Sequence, residues 1–283
     1  MKKSFHATMV KGLVLSALVS FAASAAASLF ETNLIVNGNA EAGPGSTLGD
    51  TVMPVPGWTT ANGFTVTLYG TASDIPTNCP GPVDRGTNLF TGGLDTTGSS
   101  AFQIIDLSGA AAQIDAGTVF ANLNGYLGGW QGQNDAATLK ADFTDGVHTN
   151  VLRNITLGPV LAADRTNVTA LLYREKMSPV PAGSRQVKIT LIMTYTTGSY
   201  TDGYADNLGL LLTTNRPALN LTGGNDLTVL WLTNYARGYV LQQSTNLSST
   251  NWAVVTNTVV LVNGTNQIIM TNGPAKFFRL YHP

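Results

Sequence analysis

The chain consists largely of short runs in which apolar and polar residues alternate, the pattern of strands with one face in a core. In "RQVKITLIMTY", Val187, Ile189 and Leu191 share one face and polar residues stand between them, and "ATLKADFTDG" has the same alternation. Helical periodicity is nearly absent beyond the N-terminal leader. Further strands are predicted near residues 64–69, 101–106, 119–126, 153–157 and 204–212. The pattern predicts an all-β fold of antiparallel strands.

A break in the strand pattern falls at "TTNRPALN", where Pro217 follows a polar stretch. A second set of short strands is predicted after it, in "LTVLWL", "GYVLQQS", "NWAVVT", "TNQIIMT" and "KFFRLYH". We therefore predict one large domain over residues 28–214 and a small β domain over residues 215–283. About 185 residues suffice for a substantial core, whereas the small domain has less surface to bury.

The N-terminus has the layout of a secretory signal peptide. Lys2, Lys3 and Lys11 precede the uncharged run "GLVLSALVSFAASAAA", which ends in small residues suited to cleavage. An uncleaved anchor is the alternative, but the run is short for a membrane span of about 20 residues. We predict a signal peptide over residues 1–27 and a secreted, extracellular or cell-surface protein that is not inserted in a membrane after cleavage.

Charge and cysteine content narrow the possible partners. Removal of the leader takes away three of the 15 basic residues and none of the 16 acidic ones, which leaves a formal charge of −4. This balance argues against a nucleic-acid partner, which requires a basic surface.

Cys79 is the single cysteine, so no internal disulfide is expected in an exported chain. Stability must then come from core burial, either alone or together with a metal ion.

Two segments at the ends of the large domain, "NLIVNGNAEAG" from Asn33 and "YADNLGLLL" from Tyr204, carry a resemblance to a known family. They resemble the opening and closing strands of galactose-binding-like jelly-roll domains, a group that includes many carbohydrate-binding modules and uncharacterised bacterial secreted proteins. The central "YLGGWQGQNDAATLKADFTDG" is similar to a segment of the secreted members. The resemblance implies an antiparallel jelly-roll β-sandwich.

The C-terminal residues resemble a different module. "GYVLQQSTNLSSTNW" and "AKFFRLYH" are similar to parts of a small β domain at the C-termini of bacterial secreted proteins. This resemblance implies a small β-sandwich-like accessory domain and assigns no chemistry to it.

The jelly-roll resemblance also implies a structural Ca²⁺ where the first and last strands meet. Carried over to this sequence, its carboxylate ligands are Glu41 and Asp206. Ca²⁺ takes six to eight oxygen ligands at about 2.3–2.6 Å, which two carboxylates and turn carbonyls can supply. The alternative is that Glu41 is a solvated turn acid and that Asp206 makes backbone hydrogen bonds at a strand start.

The segment "YLGGWQGQND" contains the candidate ligand-binding residues. Trp130 stands among glycines, and the set comprises Tyr126, Trp130, Gln131, Gln133 and Asn134. Aromatic faces stack on the C–H side of sugar rings while amides bond to hydroxyl groups, so the mixture suits a polysaccharide or glycan. The alternative is that Trp130 covers one end of the sandwich and that the glycines serve turn geometry.

These observations favour a secreted, non-catalytic protein that binds carbohydrate and carries a structural Ca²⁺. The alternative is a structural or adhesive component of the cell surface or matrix without sugar binding. An enzyme is disfavoured, because glycoside hydrolysis needs two acids about 5–10 Å apart and no acid pair stands in a recognisable catalytic motif. The sequence alone therefore predicts no catalytic residue.

Overall fold

The computed structural model describes residues 28–70, 75–94, 96–146, 150–214, 218–223, 226–232, 239–262, 265–271, 273 and 276–281. The signal peptide predicted over residues 1–27 lies outside the described residues, as do residues 215–217 at the predicted domain boundary. Signal cleavage and the division at residue 215 therefore stay predictions.

Two five-stranded antiparallel sheets make up the larger part of the structure. Strands are numbered in chain order. The first sheet has the order β1 (Thr59–Ala61), β4 (Ser99–Asp106), β9 (Gln186–Thr194), β6 (Ala136–Thr144), β7 (Val151–Leu157). The second sheet has the order β2 (Thr65–Leu68), β3 (Asn88–Thr91), β10 (Gly203–Thr213), β5 (Phe120–Gly129), β8 (Ala170–Pro179). The predicted all-β antiparallel sandwich is confirmed.

One hydrophobic core lies between these sheets and follows from the alternation along the strands. Leu139 of β6 pairs with Leu191 of β9, and Leu123 of β5 pairs with Leu210 of β10. All four side chains are fully buried in the same cluster. The intervening residues of each strand face outwards, so the outer face of the second sheet is free to carry polar and aromatic side chains.

The opening segment, residues 28–42, runs beside β10 as an irregular stretch with isolated bridges, where the sequence predicts one short strand. Beside this stretch, β10 has a bulge between Asp206 and Gly209. The Asn33 side chain spans it: its Nδ2 donates to the Leu208 carbonyl at 2.9 Å, and its Oδ1 accepts from the Leu210 amide at 3.0 Å. The start and the end of the sandwich are thereby joined.

The C-terminal residues form two smaller antiparallel sheets. One has the order β11 (Asn220–Thr222), β12 (Asp226–Leu232), β16 (Thr265–Thr271), β15 (Val260–Val262). The other has the order β14 (Ala253–Val254), β13 (Val240–Ser244), β17 (Phe277–Tyr281). They bury a core of their own around Val229, Trp231, Leu241 and Ile268.

Helical structure is confined to short connections. A 3₁₀ turn at Ser108–Ala110 leads into α1 (Ala111–Asp115), and a second 3₁₀ turn spans Ala163–Arg165. Within the described ranges, no helix has the length and apolar character needed to cross a bilayer.

Candidate functional site

A groove of about 530 Å³ opens on the outer face of the second sheet, beside the bulge of β10. It is lined by β5, β8 and β10, by the opening segment, and by the loop between β2 and β3, of which residues 69–70 and 75–87 are described. Its volume lies within the range of small-molecule sites, roughly 300–1,000 Å³. The strand alternation that sends leucines into the core gives this groove its side chains.

Two tyrosines form its aromatic side. Tyr126 of β5 and Tyr173 of β8 are direct cross-strand partners, and both line the groove. Their ring centroids lie 5.4 Å apart at an interplanar angle of 67°. The Tyr173 hydroxyl donates to Glu175 Oε2 at 2.9 Å, which fixes the second ring. An edge-to-face pair of this kind is a rigid apolar surface with polar tips.

Asparagine amides supply most of the polar lining. Asn124 points to the same face as Tyr126, two residues further along β5. Gly209 of β10 gives it room, since a Cβ at that position would lie 2.6 Å from Asn124 Oδ1. Asn37 and Asn39 of the opening segment line the facing side of the groove. Amides both donate and accept, so this lining suits a ligand with many hydroxyl groups.

One carboxylate lines the groove at the loop between β2 and β3. Asp84 is exposed there, and its Oδ1 accepts a hydrogen bond of 2.8 Å from Asn207 Nδ2. Asn207 follows the start of the bulge and has a left-handed backbone with φ of 48°. The bulge therefore turns the Asn207 amide towards the loop and holds Asp84 in place.

Asp206 is fully buried next to this groove, although its partner in β5 is the groove residue Tyr126. Its Oδ2 accepts from the Tyr69 hydroxyl at 2.8 Å, and its Oδ1 accepts from the Asn207 amide at 2.7 Å. Burial raises the pKa of Asp206 to about 7, and the charges of Glu41 and Asp84 add to the rise. Burial likewise raises the pKa of Tyr69, with a further contribution from Asp206.

Glu41 anchors the loop that leads into β3. Its Oε1 accepts hydrogen bonds from the backbone amides of Thr87 at 2.8 Å and Asn88 at 2.6 Å. The side chain is half-buried, and its charge acts on Asp206. The two residues predicted as metal ligands are thus electrostatic neighbours at the junction of the opening segment and β10.

The charge at this junction bears on the predicted metal site. A buried carboxylate is costly without a positive partner. Within the described part of the chain, the ion pairs are Lys140–Asp142 and Arg185–Asp115, and neither involves Glu41 or Asp206. The same residues contain no cluster of three acidic, histidine or cysteine side chains able to hold a metal. Carbonyl oxygens or water would have to complete the coordination of an ion held by Glu41 and Asp206.

The predicted ligand residues around Trp130 belong to a separate turn. Trp130 packs partly buried against a cluster that contains Tyr204 and Leu171, and the Asn134 Oδ1 accepts from the Ala162 amide at 3.2 Å. Of the five predicted residues, Tyr126 lines the groove, whereas Trp130, Gln131, Gln133 and Asn134 do not. Ligand contact at the turn stays a prediction.

A buried arginine holds that turn. Arg165 is 1% exposed, and its guanidinium donates to the backbone carbonyls of Gly129, Gln131, Val168 and Gln133 at 2.7 to 2.9 Å. Burial lowers the pKa of this guanidinium. Backbone carbonyls are directed inwards at Gln131 and Gln133, so the turn has a structural anchor that its glycine-rich sequence does not reveal.

Tyr126 is the lining residue that the sequence analysis named as a ligand-binding candidate, and Asp84, Asn124, Tyr173 and Asn207 are among those that it missed. Asn124 and Tyr126 alternate along one predicted strand, and this spacing could have placed both on the outer face. Tyr173 lies on β8, which the sequence analysis did not predict. Asp84 and Asn207 stand 123 positions apart and meet only through the fold.

No family model matches the sequence, and no curated protein matches it. Among solved structures, a family 16 carbohydrate-binding module is 19% identical over 63% of this chain and 99% of that chain, with a TM-score of 0.37. The tandem CBM22 domains of Paenibacillus barcinonensis Xyn10C are 12% identical over 81% of each chain, with a TM-score of 0.32.

A third similar structure is the enzymatically active domain of tailspike protein 4 from bacteriophage CBA120. It is 16% identical over 64% of this chain, with a TM-score of 0.37, and the chain spans about a fifth of its length. The assignment of the β-sandwich rests on the strand pairing of the chain itself.

Proposed function

We propose that the chain is an exported, non-catalytic protein whose galactose-binding-like jelly-roll domain binds carbohydrate. The observation that supports this function is the groove on the outer face of the second sheet, where Tyr126 and Tyr173 stand beside several asparagine amides. Apolar ring faces next to amides match a sugar ring, which has C–H faces and hydroxyl edges.

The Asn124 amide of the groove is available for such a ligand. Within the described part of the chain, its side chain forms no hydrogen bond in spite of its place between Tyr126 and Gly209. The amides of Asn37 and Asn207 already have partners within the protein. A sugar hydroxyl at this point would pair with an amide that the protein leaves open. The Tyr126–Tyr173 pair is held by its T-shaped contact, so little side-chain ordering would oppose binding.

The second part of the proposal is a structural Ca²⁺ held by Glu41 and Asp206. When bound, the ion would supply positive charge to a buried carboxylate and tie the loop before β3 to β10. The raised pKa of Asp206 supports this role, because the buried carboxylate has no cationic side chain as an ion-pair partner among the described residues. Ca²⁺ accepts the hard oxygen ligands that these residues offer.

A binding role without hydrolysis accords with the composition of the groove. Asp84 is the one carboxylate among its lining residues, within the ranges that the structure describes. Glycosidases use two carboxyl groups that flank the scissile bond. Incubation with each bound glycan should therefore release no new reducing ends, and their release would contradict this part of the proposal.

A glycan array read with wild type, Tyr126→Ala and Trp130→Ala tests the function. Truncation of Tyr126 removes an anchoring ring, so we expect a loss of affinity of about tenfold or more. Trp130→Ala tests the other candidate site, the turn outside the groove, and should bind as wild type does if the ligand occupies the groove. Thermal melting of both variants checks that they fold.

The opposite pattern, with loss in Trp130→Ala and none in Tyr126→Ala, would move the binding site to the Trp130 turn. Absence of binding by wild type to every glycan would overturn the carbohydrate proposal. The chain would then be better described as a structural or adhesive component of the cell surface or matrix.

A further inference from the structure

The charge at the groove is negative. Its lining contains the carboxylate of Asp84 and neutral side chains, with no lysine or arginine among the described residues that form it. Glu175 stands next to the aromatic side, where it accepts a hydrogen bond from Tyr173. A ligand in the groove therefore meets amides, phenol rings and negative charge.

Asp84 is held in a fixed position and keeps one oxygen available. Its Oδ1 accepts the Asn207 amide at 2.8 Å, while its Oδ2 forms no hydrogen bond with any described residue. The residue is exposed at the groove, so this second oxygen can accept from a ligand.

Arg85 follows Asp84 in the sequence but does not pair with its carboxylate. Arg85 folds back into its own loop, where it donates to the carbonyls of Thr77, Cys79 and Pro82 at 2.8 to 3.0 Å. Its guanidinium also lies over the Tyr69 ring, 5.1 Å from the centroid. With these contacts satisfied internally, Arg85 forms no ion pair with Asp84 in the described structure.

We propose that the groove selects glycans with free amino groups, glucosamine chains in particular, and that Asp84 accepts a hydrogen bond from the ligand's ammonium group. This inference rests on the proposed carbohydrate-binding function and names its ligand class. Charge-assisted hydrogen bonds are stronger than neutral ones. A uronate carboxylate at the same place would face Asp84 with no cation to pair with.

The inference depends on Asp84 and not on the buried acids behind it. Because the charge of Asp84 acts on Asp206, a Ca²⁺ held by Glu41 and Asp206 would also weaken the negative field at Asp84. The test below is therefore run in EDTA, where Asp84 acts without the ion.

Calorimetric titration with oligosaccharides of equal length tests the selection. The three ligands are glucosamine, N-acetylglucosamine and galacturonate oligomers, at a pH where the amines are protonated. We expect wild type to bind the glucosamine oligomer roughly fivefold more tightly than the N-acetylated one, as one solvent-exposed charge contact would give. The galacturonate oligomer should bind least.

Two variants show whether Asp84 causes the preference for the glucosamine oligomer. Asp84→Asn keeps an oxygen for the Asn207 amide and removes the charge, so the ratio between the two glucosamine-based ligands should fall to about one. Asp226→Asn removes the same charge from an exposed position on β12 of the C-terminal sheets, and should keep the ratio. It controls for general attraction of cationic chains to an acidic protein.

A preference that persists in Asp84→Asn, or one that is lost equally in Asp226→Asn, would overturn the selection by Asp84. Tightest binding of the galacturonate oligomer would also overturn it. In each of these cases wild type still binds a glycan, so the proposed function stands. Binding of none of the oligomers, together with an empty glycan array, would overturn both proposals.

Discussion

Replacing Asp206 with asparagine should stabilise the metal-free protein at neutral pH. Asn keeps both contacts of the native side chain: its Oδ1 can accept from the Asn207 amide, and its Nδ2 can donate to the Tyr69 oxygen, since a hydroxyl both donates and accepts. What the variant loses is a buried negative charge that no described cation neutralises.

The magnitude follows from the pKa of Asp206, which burial raises from 3.8 to about 7. Between these two pKa values, the folded state holds a proton on Asp206 that the unfolded state releases. The stability due to this proton is fully present below the unfolded pKa and is lost as the pH rises through the folded pKa. The difference between the two pKa values corresponds to about 4 kcal/mol, an upper limit for the stabilisation expected in Asp206→Asn above pH 7.

Urea unfolding in EDTA, measured from about pH 4 to pH 8 for wild type and Asp206→Asn, checks this prediction. The difference in unfolding free energy should be smallest at the acid end, grow with pH, and level off near neutrality. Titrations common to both proteins cancel in this difference. A difference that is constant with pH, or a variant that is less stable than wild type throughout, would refute the account of Asp206.

Three further predictions concern the metal site, the turn and the groove. Ca²⁺ at about 100 times its dissociation constant should stabilise wild type by about 2.7 kcal/mol in thermal melts, and Glu41→Gln should lose most of this gain while it keeps the acceptor for the β3 loop. Arg165→Met should cost about 3 kcal/mol or more in urea unfolding, because four backbone carbonyls lose their donor. Gly209→Ala should displace Asn124 and lower glycan affinity on the array, with little loss of melting temperature.

The alternation of apolar and polar residues correctly predicted several strands of the structure, above all β6, β9 and β10. It missed β8, where Arg174, Glu175 and Lys176 stand in succession and hide the period of two. This strand lies at the edge of its sheet, where charged side chains reach solvent from either face. Edge strands of this kind give a weak hydrophobic pattern.

The candidate groove was less predictable because its residues come together through strand register. Tyr126 and Tyr173 are neighbours only because β5 pairs with β8 in one particular register. At the Trp130 turn, the local sequence suggested a ligand site where the structure shows a structural role. Its glycines and amides suggest a ligand site, but Arg165, 35 positions further on, ties its backbone from within. A local motif does not reveal such a distant anchor.

Mapping of amide chemical-shift changes by NMR during titration with a glycan found on the array tests the central claim most directly. Binding in the groove predicts changes that cluster at residues 37–39, 124–126, 173 and 207–211. Changes centred on residues 130–134, or none near the groove at saturation, would contradict it.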